Sequence, residues 1–388
     1  MISVRTLPFG FQAEGYRRET AGGDDCSLII TIGGEDLRQA DAGGLAELLA
    51  YREHMTVRSL VAGEDVAVLK TSTSAIRSLS ESRKERKELE ILDRINRAVG
   101  NYLNGGIRVL KCESFTIDFS SARIMGILNV TPDSFSDGGQ YFTTEKAVSR
   151  AVEIEQEGAD VIDIGGESTR PGATPITASE EMNRVIPVIR EVHSKVDIPI
   201  SVDTYHPEVA RAALDAGASI INDITGLRSP QMRRLVGRRE CPYVIMHMRG
   251  NPADMQLNPV YEDVVYEILK FLSESIERAE SEGIDTSKAM VDPGLGFGKT
   301  FQHNVTILNR LDEFRSLGHP LLVGASRKSF IGHITQETGR RRLEGSLASA
   351  VCAMMKGASM LRVHDVKETA MAIAVARSIM SGRAPSRR

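Results

Sequence analysis

Eight times between residues 123 and 365 an apolar run rich in Val, Ile, Leu and Met stops at a polar residue or a glycine, and a helical pattern follows. The stops are Asn129, Asp163, Asp203, Asn222, His247, Asp292, Gly324 and Arg362. Strands that are apolar throughout are buried on both faces, which is the signature of a parallel sheet covered by helices. Parallel neighbours need crossover connections, and the helical patterns supply them. The repeat therefore predicts an α/β fold of the (β/α)8 barrel type, with a doubly wound sheet as the runner-up. In a barrel all eight strand ends converge on one face, so the polar stops would surround a single pocket.

The barrel fills residues 105–388, and something smaller precedes it. Residues 1–79 read as a small α/β domain, with strands at 28–31, 56–60 and 66–69 and helices at 40–52 and from 74. This part carries no phosphate loop, no metal-ligand spacing and no acid–base pair, so a structural or oligomerisation role is its default reading. Residues 80–104 open on a dense charge run and settle into helical spacing at Leu89, Leu92, Ile95 and Val99, as a helical linker would. Residues 107–119 alternate like a β-hairpin, placed to plug the bottom of the barrel ahead of its first strand.

Composition narrows the function. The net charge of −4 leaves no footprint for nucleic acid or a membrane surface. Cys26, Cys112, Cys241 and Cys352 lie far apart with no C-x-x-C, which fits a reduced compartment better than a disulfide framework or a zinc site. No apolar run approaches the length of a membrane span and the first residues lack a signal-peptide core, so the expectation is a soluble, cytoplasmic protein.

The strand-end residues form two chemical groups. Asp163, Asp203, Asp292 and Asn222 are acceptors for a ligand rich in N–H donors; a heteroaromatic ring with an amino group beside a ring N–H meets a carboxylate edge to edge. Arg170, Lys328, Arg362 and His364 are basic, and those after the last two strands stand where barrel phosphate sites recur, next to a helix start near Asp365. Asn129 has an oxygen suited to a Mg²⁺ ion shared with a diphosphate. The loops 130–142 and 165–177 are too long and too rich in turn formers for simple connections, and read as lids or substrate walls. His247 reads as a structural hydrogen-bonder. Gly294, Gly296 and Gly298 lack dinucleotide-fingerprint spacing and read as a tight substrate-facing turn.

Taken in order, ILNVTPDSFSDGG, DIGGESTRPGA, SVDT, IINDITG, MHMRGNP, DPGLGFGK, GASRKSFIG, GSLASAV and RVHDV closely resemble the dihydropteroate synthases, over about residues 107–382. The resemblance implies a barrel transferase of folate biosynthesis, a target of sulfonamides, that condenses 6-hydroxymethyl-7,8-dihydropterin diphosphate with 4-aminobenzoate. It implies that Asp163, Asp203, Asn222, Asp292 and Lys328 bind the pterin, and that Asn129, Arg362 and His364 hold the diphosphate, with Mg²⁺ on Asn129. It further implies that Thr169, Arg170, Pro171, Phe297, Ser326 and Lys328 form the aminobenzoate site, with Lys328, Arg362, Asp203, Asp292 and Arg170 central to catalysis. Small-molecule partners and a homodimer through the late helices, including residues 345–357, are also implied. Leu295, Arg249 and Asn251 depart from residues frequent in the family, and none is among the residues named for chemistry. The alternatives are a pterin-dependent methyltransferase acting on a methylated folate, which should lack the STRPG loop and the Ser326-Arg327-Lys328 triplet, or an inactive pterin-binding protein, which should have a broken Arg362–Asp365 segment.

Overall fold

The computed structural model describes residues 2–6, 27–33, 56–58, 66–72, 86–112, 114–131, 144–168, 175–251, 254–337 and 339–383. The chain divides into two units, Met1–Gly106 with Asp312–Gly318, and Ile107–Leu311 with His319–Arg388.

The first unit holds a four-stranded antiparallel sheet in the order β1-β2-β4-β3, built from β1 (Ile2–Thr6), β2 (Ser27–Gly33), β3 (Thr56–Arg58) and β4 (Val66–Ser72). Sequence reading expected three of these strands and missed β1, which pairs with β2 from Ile2↔Ile32 to Thr6↔Leu28. The helices expected at 40–52 and 74–79 lie outside the described residues. Helix α1 (Arg86–Asn104) turns Ile95, Ala98, Val99 and Tyr102 inward at helical spacing. Asn101 Nδ2 donates to Ser316 O at 3.2 Å and Tyr102 Oη to Asp312 Oδ2 at 2.9 Å, so a stretch distant in sequence belongs to the same unit as this helix.

The second unit is the predicted barrel. Its strands are β7 (Arg123–Asn129), β8 (Val161–Gly165), β9 (Ile200–Asp203), β10 (Ile220–Asp223), β11 (Tyr243–Met246), β12 (Ala289–Asp292), β13 (Leu322–Val323) and β14 (Met360–Val363). All pair in parallel, in the order β12-β11-β10-β9-β8-β7-β14-β13, and a parallel bridge between Val291 and Leu321 joins the two ends of that order. The closure decides for a barrel over a doubly wound sheet. Strands β8, β10, β11 and β12 are buried at every residue, as strands covered on both faces must be.

The connecting helices are α2 (Thr144–Gln156), α3 (Ala178–His193), α4 (Pro207–Asp215), α5 (Pro230–Arg239), α6 (Val264–Ser281), α7 (Phe301–Asn309), α8 (Ser329–Thr335), α9 (Leu343–Met355) and α10 (Val366–Ser381). Sequence reading assigned one helix to each strand; among the described residues β13 is followed by two, α8 and α9. Local chemistry starts several of them. Thr177 and Glu180 form a reciprocal capping box on α3, and Asp263 caps α6 through the Val265 and Tyr266 amides.

A short hairpin, β5 (Val109–Lys111) and β6 (Thr116–Asp118), precedes the first barrel strand. Its Leu110 and Ile117 pack in one buried cluster with Met125, Val161, Ile220, Val244, Met290, Leu322 and Met360, so the hairpin does plug the barrel interior. Seven of the eight strands give one residue to that layer.

Candidate active site at the carboxyl end of the barrel

The plug layer fixes where the polar residues go. Alternate residues of a strand share a face, so a residue two places beyond an inward core residue also points inward, one step nearer the carboxyl end. Two places beyond Val161, Ile220, Met290 and Met360 stand Asp163, Asn222, Asp292 and Arg362. Strand β9 contributes Asp203, in register with Gly165 on one side and Asn222 on the other. Five of the strand-end residues singled out from sequence, Asp163, Asp203, Asn222, Asp292 and Arg362, thus gather at the carboxyl end of the barrel.

They meet as bonded partners. Arg362 Nε donates to Asp163 Oδ2 at 2.6 Å and its terminal nitrogen to Asp203 Oδ2 at 2.5 Å, two charge-assisted bonds from one planar guanidinium. Asn222 Nδ2 reaches the two oxygens of Asp163 at 3.4 and 3.2 Å. Asp163 is wholly buried, Asn222 and Asp292 nearly so. Sequence analysis expected Arg362 to hold an anion; in this structure its guanidinium spans two carboxylates.

Burial sets the protonation energetics. It pushes Asp203 up to about 7 against the attraction of Arg362, and Asp292 up to about 6 against the Gly294 amide, which donates to Asp292 Oδ1 at 2.6 Å. Lys328 is lowered to about 8 by burial and by repulsion from Arg362. Burial disfavours the charge of Arg362, but Asp163 and Asp203 more than offset it and its pKa is raised.

Lys328 stands with its ammonium 4.3 Å from the centre of the Phe297 ring, a cation–π contact. It is placed there by Arg327, whose φ of +57° is the left-handed region. That conformation is held by the Ser346 hydroxyl on the Arg327 amide at 3.0 Å, by a guanidinium pair with Asp365, and by Arg342 on the Arg327 carbonyl at 3.1 Å. Ser326 Oγ accepts from the His364 amide at 3.2 Å and lies 3.1 Å from His364 Nδ1, joining the ends of β13 and β14. Asn129 ends β7, in register with Gly165. Thr169, Arg170 and Pro171 lie outside the described residues, as does most of loop 130–142.

Residues 125–364 match the model of the family described as pterin binding enzyme. The chain is 47% identical over 274 residues to the dihydropteroate synthase of Escherichia coli (strain K12), a match covering 71% of this chain and 97% of that protein. The chain belongs to the dihydropteroate synthase family of pterin-binding enzymes. Among solved structures, that of Xanthomonas albilineans dihydropteroate synthase with 4-aminobenzoic acid is 46% identical with a TM-score of 0.67, covering 71% of this chain and 98% of that one. The same organism's enzyme in complex with 7,8-dihydropteroate is 43% identical with a TM-score of 0.65, covering 70% and 99%.

The structure of this pterin-binding enzyme also shows polar groups that sequence reasoning missed. Tyr205 Oη donates to both oxygens of Glu167 at 3.0 Å, and Thr204 Oγ1 to Glu181 Oε2 at 3.0 Å. Glu167, Glu181 and His206 bring their ligand atoms within 4.8 Å of one another. Burial pushes Glu181 up to about 8. A signal for it existed: in α3, Glu181 precedes Val185, Val188 and Val192 on one helical face, an acid at a core position. His247 is structural in the way its sequence context suggested. It is buried beside Phe271 with ring centres 5.0 Å apart, and burial lowers its pKa to about 2, so it is neutral.

Proposed function

We propose that this enzyme joins 6-hydroxymethyl-7,8-dihydropterin diphosphate to 4-aminobenzoate, giving 7,8-dihydropteroate and diphosphate. One observation carries the reading: buried acceptors (Asp163, Asn222, Asp292) and cations (Arg362, Lys328) face each other inside one barrel mouth. Acceptors match the amino and ring N–H edge of a pterin, and cations match the diphosphate attached to it. The bound 4-aminobenzoic acid and 7,8-dihydropteroate in the Xanthomonas albilineans enzyme support the choice of acceptor and product.

In this reading Asp163, Asp203, Asn222, Asp292 and Lys328 bind the pterin. Arg362 and His364 receive the diphosphate, and Phe297, Ser326 and Lys328, with Thr169, Arg170 and Pro171 of the second loop, hold the aminobenzoate. The bond from the pterin methylene to oxygen breaks and its electron pair leaves with diphosphate. The aniline nitrogen supplies the pair for the new carbon–nitrogen bond and then loses a proton. Carboxylates around the electron-rich ring favour the positive charge that develops there, while Arg362 and Lys328 favour the negative charge on the leaving group. The chemistry asks for no nucleophilic side chain. It asks for orientation and exclusion of water, which a barrel mouth with long loops supplies.

Mg²⁺ suits the donor present at the end of β7. Asn129 offers a neutral amide oxygen, a hard ligand of the kind Mg²⁺ takes singly while diphosphate and water complete its shell. When bound, the ion would neutralise charge on the leaving diphosphate.

A homodimer is part of the proposal. Met371, Val375 and Ile379 recur every fourth residue along one face of α10 and are 55%, 60% and 76% exposed, with Met355 of α9 at 58%. Such a stripe suits a second copy of the chain. As to membranes, among the described residues no helix is long and apolar enough to cross one.

The test is a turnover assay with dihydropterin diphosphate, Mg²⁺ and 4-aminobenzoate, following dihydropteroate by mass. Product that vanishes on chelation and in Lys328→Ala supports the reading. Pterin binding with no product overturns it.

A further inference from the structure

Lys299 is 3% exposed, and its amine is bound on three sides. It lies 2.9 Å from His247 Nδ1, 3.3 Å from the His247 carbonyl and 2.9 Å from the Phe297 carbonyl. Three polar atoms surround the amine, so the group is held without water, and burial lowers its pKa well below the ordinary lysine value against the attraction of Asp292. The Lys299 amine and His247 Nδ1 share a hydrogen bond, and burial lowers the pKa of both groups.

These contacts close a loop of backbone. Between Asp292 and Lys299 the chain passes Gly294, Gly296 and Gly298 with φ of +66°, +79° and +62°. A Cβ on Gly294 would stand 2.0 Å from the His247 carbonyl, so the turn is pressed against the residue that Lys299 grips. The outer side of the turn is held as well. Asn304 Oδ1 accepts from the Gly296 amide at 2.7 Å, and Tyr261 Oη donates to the Gly298 carbonyl at 2.8 Å. The turn carries the Phe297 ring, which packs in a buried cluster with Ile224, Met246, Met248 and Met255 and on which the Lys328 ammonium rests.

We propose that Lys299 is a positioning residue: by tying the Phe297 carbonyl to His247, it fixes the Phe297 ring as the wall of the aminobenzoate subsite. This deepens the reading above and rests on it for the identity of the second substrate. Lys299 itself touches neither substrate. A backbone carbonyl bonded to a buried amine holds the base of the ring in place, and misplacement of about 1 Å is costly for two-substrate chemistry.

The experiment is Lys299→Met, which keeps side-chain length and removes the donors. The expected result is a KM for 4-aminobenzoate raised by about tenfold or more, with the KM for the pterin diphosphate within about threefold of wild type. A loss of kcat with both KM values unchanged would mean that the lysine only sustains the active fraction of protein, and would overturn the proposal. His247→Leu, which removes the acceptor, should repeat the effect, while His247→Asn, which keeps an oxygen close to the place of Nδ1, should restore most of the wild-type ratio. Equal behaviour of the two also overturns it. A readout free of turnover separates this idea from the assigned reaction. In protein labelled with 4-fluorophenylalanine, the Phe297 ¹⁹F resonance, assigned with Phe297→Leu, should shift in Lys299→Met. An unmoved resonance sinks the positioning role, whereas a wild-type enzyme that makes no dihydropteroate sinks the assigned reaction.

Discussion

At the residue scale the site is a balance of buried charge. Arg362 stands between Asp163 and Asp203, and removing it would strand both carboxylates and, in the proposed function, withdraw stabilisation from the leaving group. Arg362→Ala is expected to slow turnover by about 10²–10³, the usual effect of deleting one strong electrostatic stabiliser, and steady-state kinetics on folded variant will measure it. In the proposed function Asp292 binds a pterin edge as the carboxylate, and burial raises its pKa to about 6. Below that pH the free site holds a neutral acid, so pterin affinity measured by calorimetry should fall by about tenfold per pH unit, and level off above. Glu181 gives a stability prediction with the opposite use of protons. Its folded carboxyl keeps its proton to about pH 8, whereas the ordinary value is 4.5. The native state therefore binds more protons between those values and loses stability as pH rises through them. Glu181→Gln cannot ionise and keeps an acceptor for Thr204. Denaturant midpoints should show the variant losing that slope, and at pH 8 exceeding wild type by an amount on the order of a few kcal/mol.

At the scale of elements, the hairpin β5–β6 and the barrel share a layer. Leu110 is fully buried within it, and Leu110→Ala should cost about 2–5 kcal/mol in chemical unfolding, because a plug held by a closed barrel cannot collapse into the cavity it leaves. This layer also explains why so much of the site was legible. Apolar runs ending in Asp, Asn or Arg define the strands and, through the two-residue alternation, the inward direction of Asp163, Asn222, Asp292 and Arg362. The pairing of Arg362 with Asp163 and Asp203 was not legible, since residues 199 and 159 positions apart meet only through closure of the barrel. Glu167 with Tyr205, and Lys299 with His247, were hidden for the same reason. Their partners come from different βα units, and no spacing within one unit announces them. Of the two helices after β13, α8 escaped because it spans only seven residues, too few for a periodic signal.

For the whole molecule, the α9–α10 face sets the assembly prediction. Sedimentation should show a dimer, and Met371→Glu with Ile379→Glu should yield monomers, since two charges in the centre of an apolar contact would be buried without partners. All eight barrel strands were readable, whereas in the first unit β1 was missed even though its ISVRT alternates apolar and polar residues. Closure itself has a cost in uniformity. Strand β13 is two residues long, and the join between β12 and β13 is the Val291–Leu321 bridge, while the pairing of β7 with β8 runs over five residue pairs. The barrel is thus a ring with a seam. Thermal opening follows the least-bonded line of a structure, and here that line separates Asp292 on one lip from Ser326 and Lys328 on the other. The first excursion from the native state would part Asp292 from Lys328 and leave Arg362 with Asp163 and Asp203 on the staves that stay in place.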